Sequence, residues 1–154
     1  MSNVIVNSSP LIAFRQLDKV ELLHSLIGAV LIPPAVQREV FHNWQLPAWI
    51  QVRPLTQPIA PDLLSPRLGA GEREAISLAI EIGNARIVLD DLAARRAAEG
   101  LGLSVAGTLG LLLQARQRGL LDRLRPALDS LIAFNFRISP PLYHLLLQRA
   151  GEAD

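Results

Sequence analysis

Residues 3–12 read Asn3-Val4-Ile5-Val6-Asn7-Ser8-Ser9-Pro10-Leu11-Ile12, and this stretch decides the fold. It opens with Val4-Ile5-Val6, a short apolar run without polar alternation, which is typical of a strand buried in a parallel sheet. Polar residues and a proline follow at once, and a helical pattern begins with them. Ile87-Val88-Leu89-Asp90-Asp91-Leu92 repeats this arrangement later in the chain. Two such strand-to-helix units predict an α/β protein with a mostly parallel sheet.

On either side of these units the chain alternates weaker strand candidates with helical patterns. The strand candidates are 29–32, 50–52 and 103–105, and the helical patterns cover 10–16, 19–27, 34–42, 71–82, 92–99, 109–117, 126–134 and 140–149. Serines before prolines, at Ser9-Pro10 and Ser139-Pro140, predict capping hydroxyls at two helix starts. The proline-rich stretch 53–67 has little periodicity, so we interpret it as a surface connection that could act as a mobile flap. This order of elements predicts a three-layer fold, with helices on both faces of the central sheet.

The composition limits the class of protein. A chain of 154 residues has the size of one domain, and we interpret residues 1–154 as a single domain. The formal net charge of +1 gives no strong basic field that would by itself require nucleic acid. The absence of cysteine excludes disulfides and thiolate metal sites, and it fits a reducing cytoplasm. No apolar run approaches the roughly 20 residues of a membrane span, and no signal peptide is evident. We therefore expect a cytoplasmic protein that does not cross a membrane.

Polar side chains follow both main strands at their carboxyl ends. Asn7 and Ser8 come after the first strand, and Asp90-Asp91 comes after the second. Ligands of parallel α/β sheets bind outside the carboxyl ends of the strands, so both clusters are expected to face one crevice. Helix capping is the competing explanation, and Asp91 is well placed to cap the helix that follows. Because two consecutive aspartates exceed what one cap needs, we assign a functional role to one of them and leave open which.

Glu72 begins the helical pattern at 71–82 with its side chain on the apolar stripe. Its neighbours three, four and seven positions later are Ala75, Ile76 and Ala79, which predicts that its carboxylate faces inward. A favourable interaction with the helix dipole would not require that orientation. By the same spacing, Glu74 is expected to be a solvated surface acid.

Glu39 has a similar position, because Val36 and Val40 lie beside it on the helical pattern at 34–42. A surface salt bridge with Arg38 or Arg15 explains it equally well. Carboxylates that converge from separate elements, without histidine or cysteine, form the ligand set that Mg²⁺ or Mn²⁺ prefers. Such ions bind phosphates and activate water for phosphodiester cleavage.

A third strand end carries Gly107-Thr108-Leu109-Gly110 at the start of another helix. The N–H groups and hydroxyl of that helix start could hold a phosphate, and a simple capping role for Thr108 is the equal alternative. Arg95 and Arg96 lie one turn beyond the aspartate pair and could contact a nucleic-acid backbone. At least one of these two arginines is expected on a solvated helix face.

Several ordered blocks of this sequence resemble PIN domains. They are Val4-Ile5-Val6-Asn7-Ser8-Ser9-Pro10-Leu11-Ile12, Leu31-Ile32-Pro33-Pro34-Ala35-Val36-Gln37-Arg38-Glu39-Val40, Gly69-Ala70-Gly71-Glu72-Arg73-Glu74-Ala75-Ile76, Val88-Leu89-Asp90-Asp91-Leu92-Ala93-Ala94-Arg95 and Gly107-Thr108-Leu109-Gly110. These blocks resemble a VapC-like branch of predicted PIN nucleases. The resemblance covers a core at 3–118, and the helical patterns at 119–150 form a C-terminal extension.

This resemblance implies an acidic pocket that binds Mg²⁺ or Mn²⁺ and cleaves single-stranded RNA with an activated water. It also implies frequent homodimerisation and a toxin role, neutralised by a small antitoxin protein encoded beside the toxin. The family's acids correspond to Glu39, to Glu72 and to Asp90 or Asp91, which we expect to be catalytic and metal-binding.

The family's first acid is usually aspartate, and Asn7 stands in its place. Its amide oxygen can still coordinate a hard cation, so Asn7 is included among the expected metal ligands, but one negative charge is lost. Ser9 matches the hydroxyl residue after that first acid, and with Thr108 and Arg95 it completes the expected substrate-binding set.

Two functions follow as hypotheses. The first is a metal-dependent endoribonuclease that cleaves single-stranded RNA, as the toxin of a toxin–antitoxin pair. The alternative is a PIN-like nucleic-acid-binding or protein-interaction module whose catalysis is weakened by Asn7.

Overall fold

A computed structural model describes residues 3–152 and contains one five-stranded sheet. In chain order the elements are β1 (Asn3–Val6), α1 (Ser8–Gln16), α2 (Val20–Ile27), β2 (Val30–Ile32), α3 (Pro34–Val40), β3 (Ile50–Val52), a 3₁₀ turn (Pro61–Leu63), α4 (Ala70–Ile82), β4 (Ala85–Val88), α5 (Leu92–Gly100), β5 (Ser104–Ala106), α6 (Thr108–Gln117), α7 (Arg125–Ala133) and α8 (Pro140–Arg149). The strand order is β3-β2-β1-β4-β5, and every neighbouring pair is parallel. The predicted α/β fold, with a parallel central sheet flanked by helices, is therefore confirmed.

The two faces of the sheet are buried in two separate apolar layers. Val6 and Val88 face a large core that α1, α2, α3, α6, α7 and α8 complete. Ile5 and Ile87 face the opposite core, which is closed by α4 and α5. Because successive side chains of a strand point to opposite faces, both Ile5 and Val6 in β1, and both Ile87 and Val88 in β4, must be apolar. This double burial explains the unbroken apolar runs in the sequence.

The predicted elements are all present, with bounds that shift by up to two residues. One predicted helix start is wrong. The hydroxyl of Ser139 accepts a hydrogen bond from the Leu142 N–H at 3.3 Å, as a cap should. By contrast, α1 already begins at Ser8, and the Ser9 hydroxyl donates to Asp90 instead of capping the helix. The Ser9 hydroxyl therefore binds a carboxylate that is distant in the chain and does not cap its own helix.

The proline-rich stretch 53–67 is fastened to α4, so its contacts do not support the flap interpretation. The carboxylate of Glu81 accepts hydrogen bonds from the backbone N–H groups of Thr56 and Gln57, at 2.9 and 2.6 Å. Leu63 inserts into the core with only 1% of its surface exposed. Within the described range 3–152, no helix has both the length and the apolarity needed to cross a membrane.

The chain reverses its direction of winding across the sheet between β1 and β4. From β1 it moves outward through β2 and β3, and it then returns to place β4 on the other side of β1. The Asn7 N–H donates to the Val88 carbonyl at 3.1 Å, so the two strand ends remain adjacent as they leave the sheet. The crevice outside such a reversal is where doubly wound sheets bind ligands.

Candidate metal-binding active site

A cavity of about 410 Å³ opens at the carboxyl end of β1. Five of the seven polar residues that line it in the described part of the chain are contributed by the end of β1, the first turn of α1, α3 and the start of α4. They are Asn7, Ser8, Ser9, Glu39 and Glu72. Three of the residues expected to bind a metal, Asn7, Glu39 and Glu72, are therefore brought together from three separate parts of the chain.

Asn7 places a buried amide oxygen in this cavity. The residue is only 5% exposed, and its Oδ1 atom has no hydrogen-bond partner among residues 3–152. A buried polar atom without a partner is rare in folded proteins and costs free energy, so its presence calls for a ligand. An unshared carbonyl-type oxygen beside an acidic cavity is suited to a cation.

Gly71 brings the carboxylate of Glu39 close to that oxygen. A Cβ atom at Gly71 would overlap Oε1 of Glu39 and would lie 3.2 Å from Oδ1 of Asn7. Glu39 Oε1 also accepts a hydrogen bond from the Ser8 hydroxyl at 2.9 Å. The surface salt bridge considered for Glu39 is absent from residues 3–152. Arg38 pairs with Glu74 instead, with 3.7 Å between Nη2 and Oε2. The salt-bridge alternative for Glu39 is therefore wrong.

Glu72 combines a structural and a candidate functional role. Its Oε1 atom accepts a hydrogen bond from the Gly69 N–H at 2.8 Å, which fixes the carboxylate at the start of α4. Burial raises the pKa of Glu72; the Gly69 hydrogen bond opposes this, and the negative charges of Asp91 and Glu39 add to it. The predicted inward orientation is only partial, because the residue is half-buried at the cavity wall.

The two consecutive aspartates have different environments. Asp91 is exposed and accepts the Ala94 N–H at 3.0 Å, so it caps α5 as the competing explanation predicted, while its charge still acts on Glu72. Asp90 lies outside the wall of the acidic cavity and is surrounded by donors. It accepts the Thr108 N–H at 2.8 Å, the Thr108 hydroxyl at 2.6 Å and the Ser9 hydroxyl at 3.0 Å.

The three residues expected to bind substrate are engaged inside the protein. Thr108 is fully buried, and the N-terminus of α6 that was considered for a phosphate holds the Asp90 carboxylate instead. Ser9 lines the cavity, but its hydroxyl is directed to the same carboxylate. Arg95 is partly buried and donates to the Leu89 carbonyl at 2.9 Å.

The expectation that Glu74 is a solvated surface acid is wrong. Its Oε1 atom accepts the Ala35 N–H at 3.0 Å, and its side chain is only 20% exposed. The helical spacing placed it correctly on the side away from the core, but that side of α4 faces the start of α3. The contact fixes α3 against α4 and so holds Glu39 beside Glu72.

Sequence reasoning missed one part of the cavity wall. Ile12 and Gln16 from α1, and the connection Phe134-Asn135-Phe136 between α7 and α8, also line it. The connection is more than 60 residues from Glu72 in the chain and carries no motif. Only the packing of the C-terminal helices on the core brings it to this place.

The residues of the cavity fit a hard divalent cation. Among residues 3–152, no three carboxylate or imidazole side chains converge closely enough to hold an ion by themselves. Mg²⁺, however, is commonly held by one or two carboxylates and several waters. Two carboxylates and the unshared Oδ1 of Asn7 form such a set.

Fold and cavity together define a PIN-type α/β domain with an acidic crevice at the reversal of its sheet. A family model described as DUF3368, a PIN domain, matches residues 3–152, and the chain belongs to this family. The resemblance inferred from the sequence is thereby confirmed. Membership indicates a nuclease-type function, and PIN nucleases typically use divalent metals.

One solved structure supports the same fold. It is a PilT N-terminus domain protein, SSO1118, from the hyperthermophilic archaeon Sulfolobus solfataricus P2. The two chains superpose with a TM-score of 0.53 and are 21% identical, over 73% of this chain and 92% of the archaeal one. No curated protein matches the sequence.

Proposed function

We propose that this protein is a metal-dependent endoribonuclease that cleaves single-stranded RNA, as the toxin of a toxin–antitoxin pair. The observation that carries the proposal is the unshared, buried Oδ1 of Asn7 beside Glu39 and Glu72. Buried oxygen atoms of this kind, next to two carboxylates, are what Mg²⁺ or Mn²⁺ requires. A small antitoxin and a second copy of the chain are the proposed protein partners.

In this proposal Asn7, Glu39 and Glu72 hold the ion, and Asp91 adds negative charge nearby. The ion, when bound, supplies a Lewis acid that stabilises phosphate charge and makes a water molecule more acidic. Ser8 and the Gly69 N–H each bind one carboxylate oxygen, which orients Glu39 and Glu72 before any substrate arrives.

Glu72 is the proposed acceptor for the proton of the attacking water. Its Oε2 atom has no hydrogen bond within the described residues and is free to accept that proton. Asp90 is a positioning residue in this account. By binding both Ser9 and Thr108 it joins the first turn of α1 to the start of α6, and so it fixes the wall that carries Asn7.

The second candidate function is a PIN-like nucleic-acid-binding or protein-interaction module with weakened catalysis. One observation favours it: the family's first acid is replaced here by Asn7, a neutral ligand. The two candidates differ in whether the remaining charge of the cavity is sufficient to hold a metal during turnover.

Cleavage of a labelled single-stranded RNA by the purified protein, with Mn²⁺ or Mg²⁺, separates them. The nuclease proposal expects metal-dependent cleavage that falls about 10²- to 10⁴-fold in Glu72→Gln, because the proton acceptor is lost. Glu99→Gln is the matched control and should cleave like the unchanged protein, because Glu99 is an exposed acid on α5 whose side chain makes no hydrogen bond or ion pair among residues 3–152. Equal cleavage by the unchanged protein, by Glu72→Gln and in the presence of chelator would reject the proposal.

A further inference from the structure

The cavity is lined by two chemically different sets of residues. The acids and Asn7 account for a cation and the phosphate that it would bind. Phe134 and Ile12 line the same cavity and leave 50% and 40% of their surface exposed. Metal binding and water activation make no use of an exposed aromatic ring. The ring is therefore available to a second ligand group in the same cavity.

The backbone holds this ring in a defined place. Asn135 follows α7 with a φ of 68°, the left-handed conformation that ends a helix. The N–H of Asn135 donates to the Ile132 carbonyl and the N–H of Phe136 to the Leu131 carbonyl, each at 2.9 Å. These two bonds form a Schellman motif, which fixes the chain direction after Phe134. The exposed ring therefore belongs to a helix end whose backbone is held by hydrogen bonds.

The remaining polar residues on this side of the cavity are uncharged. Gln16 and Asn135, which carry amide side chains, line it, and no lysine or arginine of the described chain does so. An aromatic face next to neutral donors and acceptors is suited to a flat, uncharged ring with a polar edge. An unpaired nucleobase has this chemistry, since proteins read such bases by aromatic stacking and by hydrogen bonds to the base edge.

We propose that Phe134 stacks on an unpaired nucleobase next to the scissile phosphate, and that the amides of Gln16 and Asn135 bind the edge of that base. The inference rests on the proposed function, because the acidic side of the cavity locates the phosphate. It adds a reason for single-strand selectivity, since the bases of a duplex are stacked inside the helix and out of reach.

Binding of RNA in the Glu72→Gln background, where the RNA stays intact, tests this inference. The probes are an octamer of riboadenosine that carries one fluorescent 2-aminopurine, and an octamer of the same ribose-phosphate backbone without bases. Phe134→Ala should raise the Kd for the first probe roughly 5- to 150-fold, because one stacked base is lost. Its affinity for the base-free octamer should not change.

Two further variants control for folding and for general loss of apolar surface. Phe134→Trp keeps an aromatic face and should retain tight binding and the quenching of 2-aminopurine fluorescence. Ile132→Ala removes a side chain of similar exposure, 44%, that is not part of the cavity wall, and it should bind like its parent. If Phe134→Ala binds riboadenosine like Ile132→Ala, or weakens both octamers equally, the inference is wrong.

The two proposals fail in different ways. If metal-dependent cleavage is present but Phe134→Ala leaves RNA affinity unchanged, the nuclease proposal stands and the base site is rejected. If there is no cleavage but binding still depends on Phe134 and on bases, the chain binds RNA without cutting it. If no RNA binds at all, both proposals are overturned.

Discussion

Gly71 allows the two best-placed ligands of the cavity to meet. It lies in the first turn of α4 with an ordinary helical backbone, so its value here is the space that it leaves and not its flexibility. Oε1 of Glu39 occupies the place where a Cβ atom would be. The absence of a side chain at Gly71 therefore lets Glu39 of α3 approach Asn7 at the end of β1.

Gly71→Ala should weaken metal binding without destabilising the fold. Alanine favours a helix over glycine by up to about 1 kcal/mol, so the free energy of unfolding should stay within that range of the original value. Metal affinity should fall roughly 10- to 100-fold, because Glu39 must move away from Asn7. Calorimetric titration with Mn²⁺ and chemical denaturation measure the two quantities.

Gly110→Ala is the matched control for this substitution. Gly110 also lies in the first turn of a helix, α6, and a Cβ atom there would meet nothing within 4 Å. Gly110→Ala should change the free energy of unfolding by no more than about 1 kcal/mol, as expected for Gly71→Ala, and it should leave Mn²⁺ affinity unchanged. A parallel loss of affinity in both variants would contradict the account of Gly71.

Asn7→Asp should restore the charge that distinguishes this chain from its family's pattern. A tenfold change in Kd corresponds to about 1.4 kcal/mol of binding free energy. The attraction between an added carboxylate and a divalent cation at contact distance exceeds this amount, so Mn²⁺ should bind at least about tenfold more tightly. RNA cleavage should rise with it. If the titration shows unchanged or weaker binding, Oδ1 of Asn7 does not face the ion.

At the scale of elements, Glu81 links the proline-rich stretch to α4. Hydrogen bonds from the backbone N–H of Gln57, and from the N–H and hydroxyl of Thr56, hold the pKa of Glu81 below its ordinary value. Because the pKa is lower in the folded protein, the ionised carboxylate stabilises the attachment above the ordinary glutamate pKa. That contribution is lost as the pH falls through the lowered value.

Glu81→Gln should therefore loosen the stretch 53–67 without unfolding the sheet. The protection factors of the Thr56 and Gln57 amides should fall at neutral pH, and acidification through the lowered pKa of Glu81 should reduce these protection factors in the unchanged protein as well. Glu99→Gln, on another helix, should leave the exchange of both amides as it was. Unchanged protection of these two amides in Glu81→Gln would contradict the link.

At the scale of the whole molecule, Glu152 joins the C-terminal segment to the rest of the core. Its side chain is 7% exposed and accepts hydrogen bonds from the N–H groups of Leu124 and Arg125 and from Arg116. Burial by itself would raise the pKa of Glu152, but these hydrogen bonds and the Arg116 charge together lower it. The ionised carboxylate thus stabilises the fold above the ordinary glutamate pKa and loses this effect on acidification.

Glu152→Gln should lower the free energy of unfolding by roughly 1–3 kcal/mol at neutral pH, because a buried, charge-assisted network is broken. The difference from the unchanged protein should shrink below the lowered pKa. Asp122→Asn, an exposed acid in the same region, should change stability little. Denaturation curves at several pH values measure this, and a gap between the two proteins that is independent of pH would contradict it.

The sequence predicted most of the fold because the buried strands leave unbroken apolar runs and their ends leave polar clusters. It also placed Asn7 at a strand end and Glu72 on the apolar stripe of a helix, whereas the assignment of Glu39 to the site depended on the resemblance to PIN domains. It could not separate the roles of Asp90 and Asp91, since these depend on which donors each carboxylate meets in space. Phe134 lies on a helix end that reaches the cavity only through long-range packing.

The central claim is that Asn7, Glu39 and Glu72 form one metal site. A crystal soaked in Mn²⁺, with anomalous scattering recorded from the metal, tests it most directly. The account expects an anomalous peak in the cavity, within coordination distance of Oδ1 of Asn7 and of both glutamate carboxylates. A peak that contacts Asp90 or Asp91 but not Asn7, or no peak in the cavity at saturating Mn²⁺, would contradict it.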